Sequence, residues 1–232
     1  MQGRNAIVTG GLGALGREVA LRFLKGGARV AIPMKTGDRP PASLDATGNA
    51  LYLEVADLTA EEEVRRFVEN ASGALGPITI LVNAAGGYAG GEAIGEVTPL
   101  TLDSMLAMNL KSAFYTCNAV LPAMRSQSYG RIINIAAMPA LVPTPRRGPY
   151  AIAKRGVITL TETIAEEVKG TGITANAIAP SIMLTPANEA SMPGADTSAW
   201  VTPAELADLV VFLCSESARS ISGNVIKAYG GV

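Results

Sequence analysis

Histidine does not occur anywhere in the 232 residues. Its absence removes Ser-His-Asp and Cys-His nucleophile arrangements together with the commonest metal ligand, so proton chemistry falls to Tyr, Lys, Asp, Glu or Cys and no metal site is expected. Cysteine is scarce as well. Cys117 and Cys214 stand apart within apolar patterns, without C-x-x-C spacing, which points to buried reduced thiols and fits a cytoplasmic protein. No apolar run reaches about 18 residues without a polar break, and residues 1–8 contain no apolar core of a signal peptide, so neither export nor membrane spanning is expected. An excess of charge of either sign is also lacking. The 19 basic and 20 acidic side chains leave a formal charge of −1, which gives no field to collect phosphate backbones or anionic lipid. Nucleic acid and membrane are therefore not expected partners.

What is present is apolar and regularly patterned. With 48% hydrophobic and 17% charged residues, the chain can bury one substantial core and is read as a single domain over 1–232. Short β-branched or apolar runs at 5–9, 29–32, 50–54, 78–82, 131–136, 174–178 and 225–228 alternate with helical periodicity at 14–25, 61–72, 102–125, 150–168 and 203–215. That alternation predicts an α/β fold, a Rossmann-type doubly wound parallel sheet of about seven strands covered by helices. Residues 33–48 and 181–202 are rich in breakers, including Pro40, Pro41, Pro186 and Pro193, and are read as loops. Both leave the carboxyl ends of strands, where doubly wound sheets bind ligands, and 181–202 is read as a substrate cover.

After the first strand comes Thr9-Gly10-Gly11-Leu12-Gly13-Ala14-Leu15-Gly16. Glycines at 10, 13 and 16 across a strand-to-helix junction let backbone N–H groups approach a pyrophosphate at the positive end of the helix. A tight turn made for packing is the plainer alternative. The acidic residue that normally binds the adenosine ribose about 20 positions onward is missing, since the second strand ends Ile32-Pro33-Met34-Lys35. Lys35, with Arg39, suits a 2′-phosphate and tips the expectation towards NADPH over NADH; a solvated loop lysine is the other reading. Asp57 is placed to accept from an adenine amino group or to cap the following helix. Asn83-Ala84-Ala85-Gly86-Gly87 ends the fourth strand with small residues, suited to a flat ligand or to close packing.

Tyr150 and Lys154 are four residues apart, hence on one helix face. A fixed cation beside a phenol stabilises phenolate and lowers a pKa near 10, which turns the tyrosine into an acid–base catalyst. Such a pair is common by chance. Together with the glycine turn, it is far more specific.

Over its whole length the chain resembles the short-chain dehydrogenase/reductase family, on Thr9 through Gly16, Asp57, Asn83 through Gly86, Asn109, Tyr150 with Lys154, and Asn176 through Pro180 followed by Thr185. The resemblance implies NAD or NADP as cofactor and Tyr150 as proton donor when hydride reaches the substrate. It gives Lys154 a second role on the nicotinamide ribose and has Asn109 linking Lys154 to solvent. Gly10, Gly13, Leu15, Gly16, Asn83, Ala85 and Gly86 fall in its cofactor-binding segments, and Pro180, Ile182 and Thr185 would line the carboxamide. A homodimer or homotetramer built on the helices at 102–125 and 150–168 is expected. The family's serine thirteen residues before the tyrosine is replaced by Ala137, and Ser181 stands where glycine is frequent.

A serine-free branch typified by dihydropteridine reductases is similar at Gly10–16, at Ala85 through Gly91 and at Ser191 through Trp200. On that resemblance Tyr88, Ala137 and Trp200 would meet the substrate, with Tyr88 in place of a tryptophan and Met34 in place of an aspartate. The expected activity is hydride transfer to a carbonyl or conjugated imine, including a dihydropteridine-like ring. The alternatives are a nucleotide-binding regulatory or scaffold protein without turnover, and an oxoacyl or alcohol dehydrogenase.

Overall fold

In the first strand, β1 (Asn5–Thr9), Ala6 and Val8 join the apolar layer on one face of the sheet while Ile7 joins the layer on the other. A strand buried on both sides needs no polar face, which is why these runs read as continuously apolar rather than alternating. In the computed structural model, which describes residues 1–45, 48–55 and 57–232, seven such strands form one parallel sheet. They are β1, β2 (Arg29–Met34), β3 (Ala50–Glu54), β4 (Ile80–Asn83), β5 (Gly130–Ile135), β6 (Ile173–Pro180) and β7 (Val225–Ala228). Their order is β3-β2-β1-β4-β5-β6-β7. The order reverses between β1 and β4, which opens a crevice beyond their carboxyl ends.

Two helical layers sandwich the sheet. On one side lie α1 (Ala14–Lys25), the four-residue α2 (Ala42–Asp45) and, further along the chain, the helix Pro203–Leu213; Val19 and Phe23 meet Leu206, Val210 and Leu213 there. On the other lie α3 (Glu61–Leu75), α4 (Pro99–Met105), α5 (Ser112–Gln127) and α6 (Gly148–Glu167). Val64, Phe67, Val120, Met124 and Ile164 fill that layer. The short α7 (Pro186–Ser191) precedes α8, the helix Pro203–Leu213. Thr202 opens α8 with a capping box, exchanging bonds with Glu205.

Several expected boundaries shift, each for a physical reason. The expected helix at 102–125 begins at Pro99, where the Thr98 side chain caps α4, and a π-helical turn, Leu106–Lys111, interrupts it before α5. The expected loop at 33–48 starts later than the prolines suggested, because β2 runs through Pro33 to Met34. Val30 and Met34 bond towards the β3 side, so by alternation Pro33 turns its missing N–H towards β1, whose pairing with β2 has ended at Ala31. Residues 46 and 47 of that loop lie outside the described residues. The loop at 181–202 contains α7 and folds back on itself, with Val201 bridged to Met183. Among the described residues, no helix is long and apolar enough to cross a membrane, and no cluster of potential metal ligands occurs. Cys117 and Cys214 are buried, and burial pushes both thiols up to about 12, so they are inert as expected.

Candidate active site

Gly10 adopts φ +66°, and a Cβ there would lie 2.8 Å from the Ala85 amide nitrogen. Glycine is therefore what lets the β1–α1 turn back against the end of β4. The helix then starts at Ala14 with Gly13 as an extended cap that offers no side-chain bond, which leaves the positive end of α1 open to an anion. In front of this turn runs a cleft of about 340 Å³ whose walls include Gly10, Gly13, Lys35, Asp57, Ala85 and Gly86. Its shape and its open helix terminus fit a dinucleotide.

Three of the expected cofactor residues serve this cleft from behind. Leu15 is buried in the α1 layer. A Cβ on Gly16 would fall 2.1 Å from the Gly10 carbonyl, so Gly16 lets helix and turn close together. Asn83 faces inward: Nδ2 donates to Asn134 Oδ1 at 2.9 Å, and Oδ1 accepts from Thr116 Oγ1 at 2.7 Å. Thr9 Oγ1 donates to the same Asn83 oxygen at 3.5 Å and accepts from the Ala85 amide at 3.1 Å. Asn134 in turn donates to Thr161 on α6 at 2.9 Å. This buried chain holds the ends of β1, β4 and β5 in register beneath both the cleft and α6. Nothing in local sequence pattern announced Thr9, Thr116, Asn134 or Thr161 as its members.

At the end of the cleft beside β2, Lys35 lines the wall, but so does Asp38, whose Oδ2 accepts from the Lys35 amide at 2.8 Å. A turn thus returns a carboxylate to the place where the end of β2 offers none. Asp57 accepts from the amide and hydroxyl of Thr59, both at 2.7 Å. Those bonds hold its carboxyl below the usual range. The helix that follows is capped by Ala60, so Asp57 closes a local turn rather than capping α3.

Beyond Gly86, which borders both spaces, opens a second cavity of about 480 Å³. Tyr150, Lys154, Asn109, Tyr88, Ala137, Pro180 and Ile182 all line it. Thr185 does not; its side chain caps α7 by accepting from Asn188 N. Trp200, expected at the substrate, also stands outside this lining. It is 7% exposed, and its neighbours pair the returning loop to Ile182 and Leu184. Its ring packs within the 181–202 segment and does not reach the cavity lining.

The Tyr150–Lys154 pair is assembled differently from the simple expectation. Lys154 is buried, its Nζ donates to the Ile135 carbonyl at 2.8 Å, and it lies 5.9 Å from the centroid of the Tyr150 ring. Burial lowers its pKa to about 8. Burial also pushes the Tyr150 phenol up to about 12, opposed by the nearby Arg147 cation. In this arrangement, therefore, desolvation outweighs any lowering by a neighbouring cation. Asn109, within the π-helical turn, accepts from the Gly87 amide at 3.2 Å and donates to the Gly87 and Met105 carbonyls. It bonds backbone, as a polar group inside a helix ordinarily does, and the backbone it holds is the strip between the two cavities. Tyr88 meets Tyr150 edge to face at 5.2 Å, and the Arg147 guanidinium lies 5.6 Å from the Tyr88 ring. Arg147 and the apolar wall of Met138, Met183 and Met192 were not evident from motif or spacing.

Comparison with known proteins agrees with this arrangement. The family described as short chain dehydrogenase matches residues 4–195. Among relatives, a D-beta-hydroxybutyrate dehydrogenase of Cupriavidus necator is 32% identical, with 100% of this chain and 98% of that protein aligned. A 2-(R)-hydroxypropyl-CoM dehydrogenase of Xanthobacter autotrophicus is 33% identical over 98% of this chain and 97% of its own. A 3-oxoacyl-[acyl-carrier-protein] reductase of Thermotoga maritima is 28% identical over 100% and 98%. The glycine turn, the seven-stranded sheet and the paired Tyr150 and Lys154 thus belong to a member of the short-chain dehydrogenase family.

Proposed function

We propose that this protein is an NAD(P)-dependent oxidoreductase that interconverts a carbonyl and an alcohol, with Tyr150 as the proton-transferring group. The observation that carries this reading is the position of Gly86, which borders the dinucleotide-shaped cleft on one side and the cavity holding Tyr150 and Lys154 on the other. A cofactor held in the first would therefore have its reactive end at the second. When bound, the nicotinamide supplies or accepts hydride. Gly10, Gly13, Ala85 and Gly86 would hold it along the cleft, with Asp57 at the adenine and Lys154, Pro180 and Ile182 at the nicotinamide end. Tyr150, with its pKa near 12, keeps its proton at neutral pH and can give it to a carbonyl oxygen. Lys154 is the buried cation that steadies the phenolate left behind. Asn109 positions the Gly87 backbone and so the wall between the cavities.

The cofactor preference turns on three side chains. Lys35 alone favours NADPH, but Asp38 and Asp57 line the same end of the cleft. One ammonium against two carboxylates suits a free ribose hydroxyl better than a phosphate dianion, and the reading adopted is NADH.

The relatives named for D-beta-hydroxybutyrate and 2-(R)-hydroxypropyl-CoM favour an alcohol–carbonyl pair, as does the 3-oxoacyl reductase. Those relatives lend nothing to a dihydropteridine-like ring. A protein that binds cofactor without turnover is the competing outcome, since Ala137 offers no hydroxyl to orient a carbonyl. Phe114 on α5 and Ile152 on α6, 48% and 52% exposed, support a homo-oligomer formed through those helices. Steady-state assays of NADH and NADPH oxidation with a carbonyl panel and quinonoid dihydropterin test the reading. Tyr150→Phe is expected to lose at least about a hundredfold in kcat while leaving the cofactor Kd within twofold. Full activity in that variant would remove Tyr150 as the acid, and cofactor binding without turnover of any substrate would favour the regulatory role.

A further inference from the structure

The substrate cavity carries two charged side chains among its lining residues, Arg147 and Lys154, and both are cations. Lys154 is committed to the Ile135 carbonyl and the proton-transfer pair. Arg147 is half-buried and contacts the Tyr88 ring, and no described carboxylate pairs with it. The guanidinium shares this lining with the amide and hydroxyl side chains of Asn188, Ser181 and Ser191 and with three methionines, but with no carboxylate, so among the described residues it is a charge without its complement. Its planar fork matches a carboxylate in two parallel hydrogen bonds, and partial exclusion of water strengthens that match.

We propose that Arg147 is a specificity-determining residue that anchors a carboxylate of the substrate, so that the substrate is a short oxo or hydroxy acid rather than a neutral ketone or a neutral ring. The inference rests on the oxidoreductase reading and supplies its substrate class. The separation between anchor and reacting carbon follows from the local geometry. Arg147 precedes Tyr150 by three positions at the start of α6, about 4.5 Å along the helix axis, and the Tyr88 ring touches both. The carboxylate is thus carried within a few bonds of the carbonyl that Tyr150 protonates. Anchoring at one end also supplies orientation that the missing hydroxyl at Ala137 cannot, because a substrate held by its anion needs one fewer donor at its carbonyl. Met138, Met183 and Met192 surround the remainder with pliable apolar surface.

The test uses the cofactor-loaded full chain, as wild type, Arg147→Met and Arg147→Lys, at one fixed ionic strength. Binding of malonate, an unreactive dicarboxylate, is measured by calorimetry, and kcat/KM is measured for 3-oxobutanoate and for its uncharged methyl ester. Arg147→Met is expected to weaken malonate at least tenfold and to lower kcat/KM for the acid about a hundredfold, as loss of a charge-assisted pair does. The ester, which offers Arg147 no charge to pair, should lose at least tenfold less than the acid, and Arg147→Lys should recover part of the loss. Malonate affinity that is unchanged in Arg147→Met, or equal losses for acid and ester, overturns the anchor. If wild type reduces neither oxo compound yet binds malonate through Arg147, the anion site stands and the reductase reading fails. If it reduces the ester and ignores malonate at millimolar concentration, the reductase reading stands and the anchor fails.

Discussion

Replacing Lys154 by methionine should abolish turnover and yet make the cofactor-free protein more stable. In the folded chain this lysine is buried, and its pKa falls from an ordinary 10.5 to about 8. At about 1.4 kcal/mol per pH unit, holding its charge inside the protein at pH 7 costs about 3 kcal/mol. Methionine of similar length removes that cost and forfeits one hydrogen bond to the Ile135 carbonyl, worth about 1 kcal/mol. The net gain is about 2 kcal/mol, or about 4–8 °C in Tm for a chain of this size. The gain has a defined pH dependence. Between pH 8 and 10.5 the unfolded wild-type lysine still holds its proton while the folded one releases it, so wild-type stability rises with pH through this window. The methionine variant lacks that rise. Its advantage is therefore full below pH 8, shrinks by about 1.4 kcal/mol per pH unit above it and is gone before pH 10.5. Tyr150, whose raised pKa makes stability fall as pH climbs from 10 towards 12, is common to both chains and cancels in the difference. Thermal and urea unfolding at matched protein concentration, at intervals from pH 7 to 10.5, read this directly. A variant no more stable than wild type at pH 7, or an advantage that does not shrink with pH, would refute burial of a charged Lys154.

Further substitutions probe the walls of the two cavities. A Cβ placed on Gly86 would lie 2.6 Å from Asn109 Oδ1 and 3.3 Å from Lys154 Nζ. Gly86→Ala should therefore cost about 1–3 kcal/mol and raise the cofactor Kd, measured by nicotinamide fluorescence. Asp38→Asn should weaken NADH and strengthen NADPH in the same titration, and equal changes for both would reject a ribose contact. Ala137→Ser, adding a hydroxyl inside the substrate cavity, should raise kcat/KM for simple ketones at least about tenfold; unchanged steady-state kinetics would mean that the substrate carbonyl does not approach residue 137.

The parts of the molecule legible in sequence are those encoded by local spacing. β1 and α1 fall within the ranges read from hydrophobic periodicity, and Tyr150 and Lys154 share a helix face because four residues separate them. What escaped depends on contacts between distant segments. Asp38 reaches the cleft only because a turn folds it back onto the Lys35 amide. Arg147 is aimed into the cavity by the loop before α6, which pairs at Arg146 with Gly91. Trp200 is ambiguous in sequence because a large aromatic in a loop can face a ligand or the interior, and tertiary packing turns it inward, outside the cavity lining. The ionisation of Tyr150 is not legible in sequence for a related reason: spacing reports neighbours, whereas burial, which dominates here, is a property of the whole fold.

The π-helical turn at Leu106–Lys111 acts as a phase adjuster between two jobs performed by one long helical rod. It accommodates an additional residue in the turn that carries Asn109. Deleting one residue there and restoring a regular α-helix would rotate the rest of the rod by about 100°. Thr116 and Cys117, now turned to the sheet beneath Asn83 and Asn134, would swing off it, and the outward ring of Phe114 would change its facing with them. The rod could then satisfy Asn109 or the sheet, and not both.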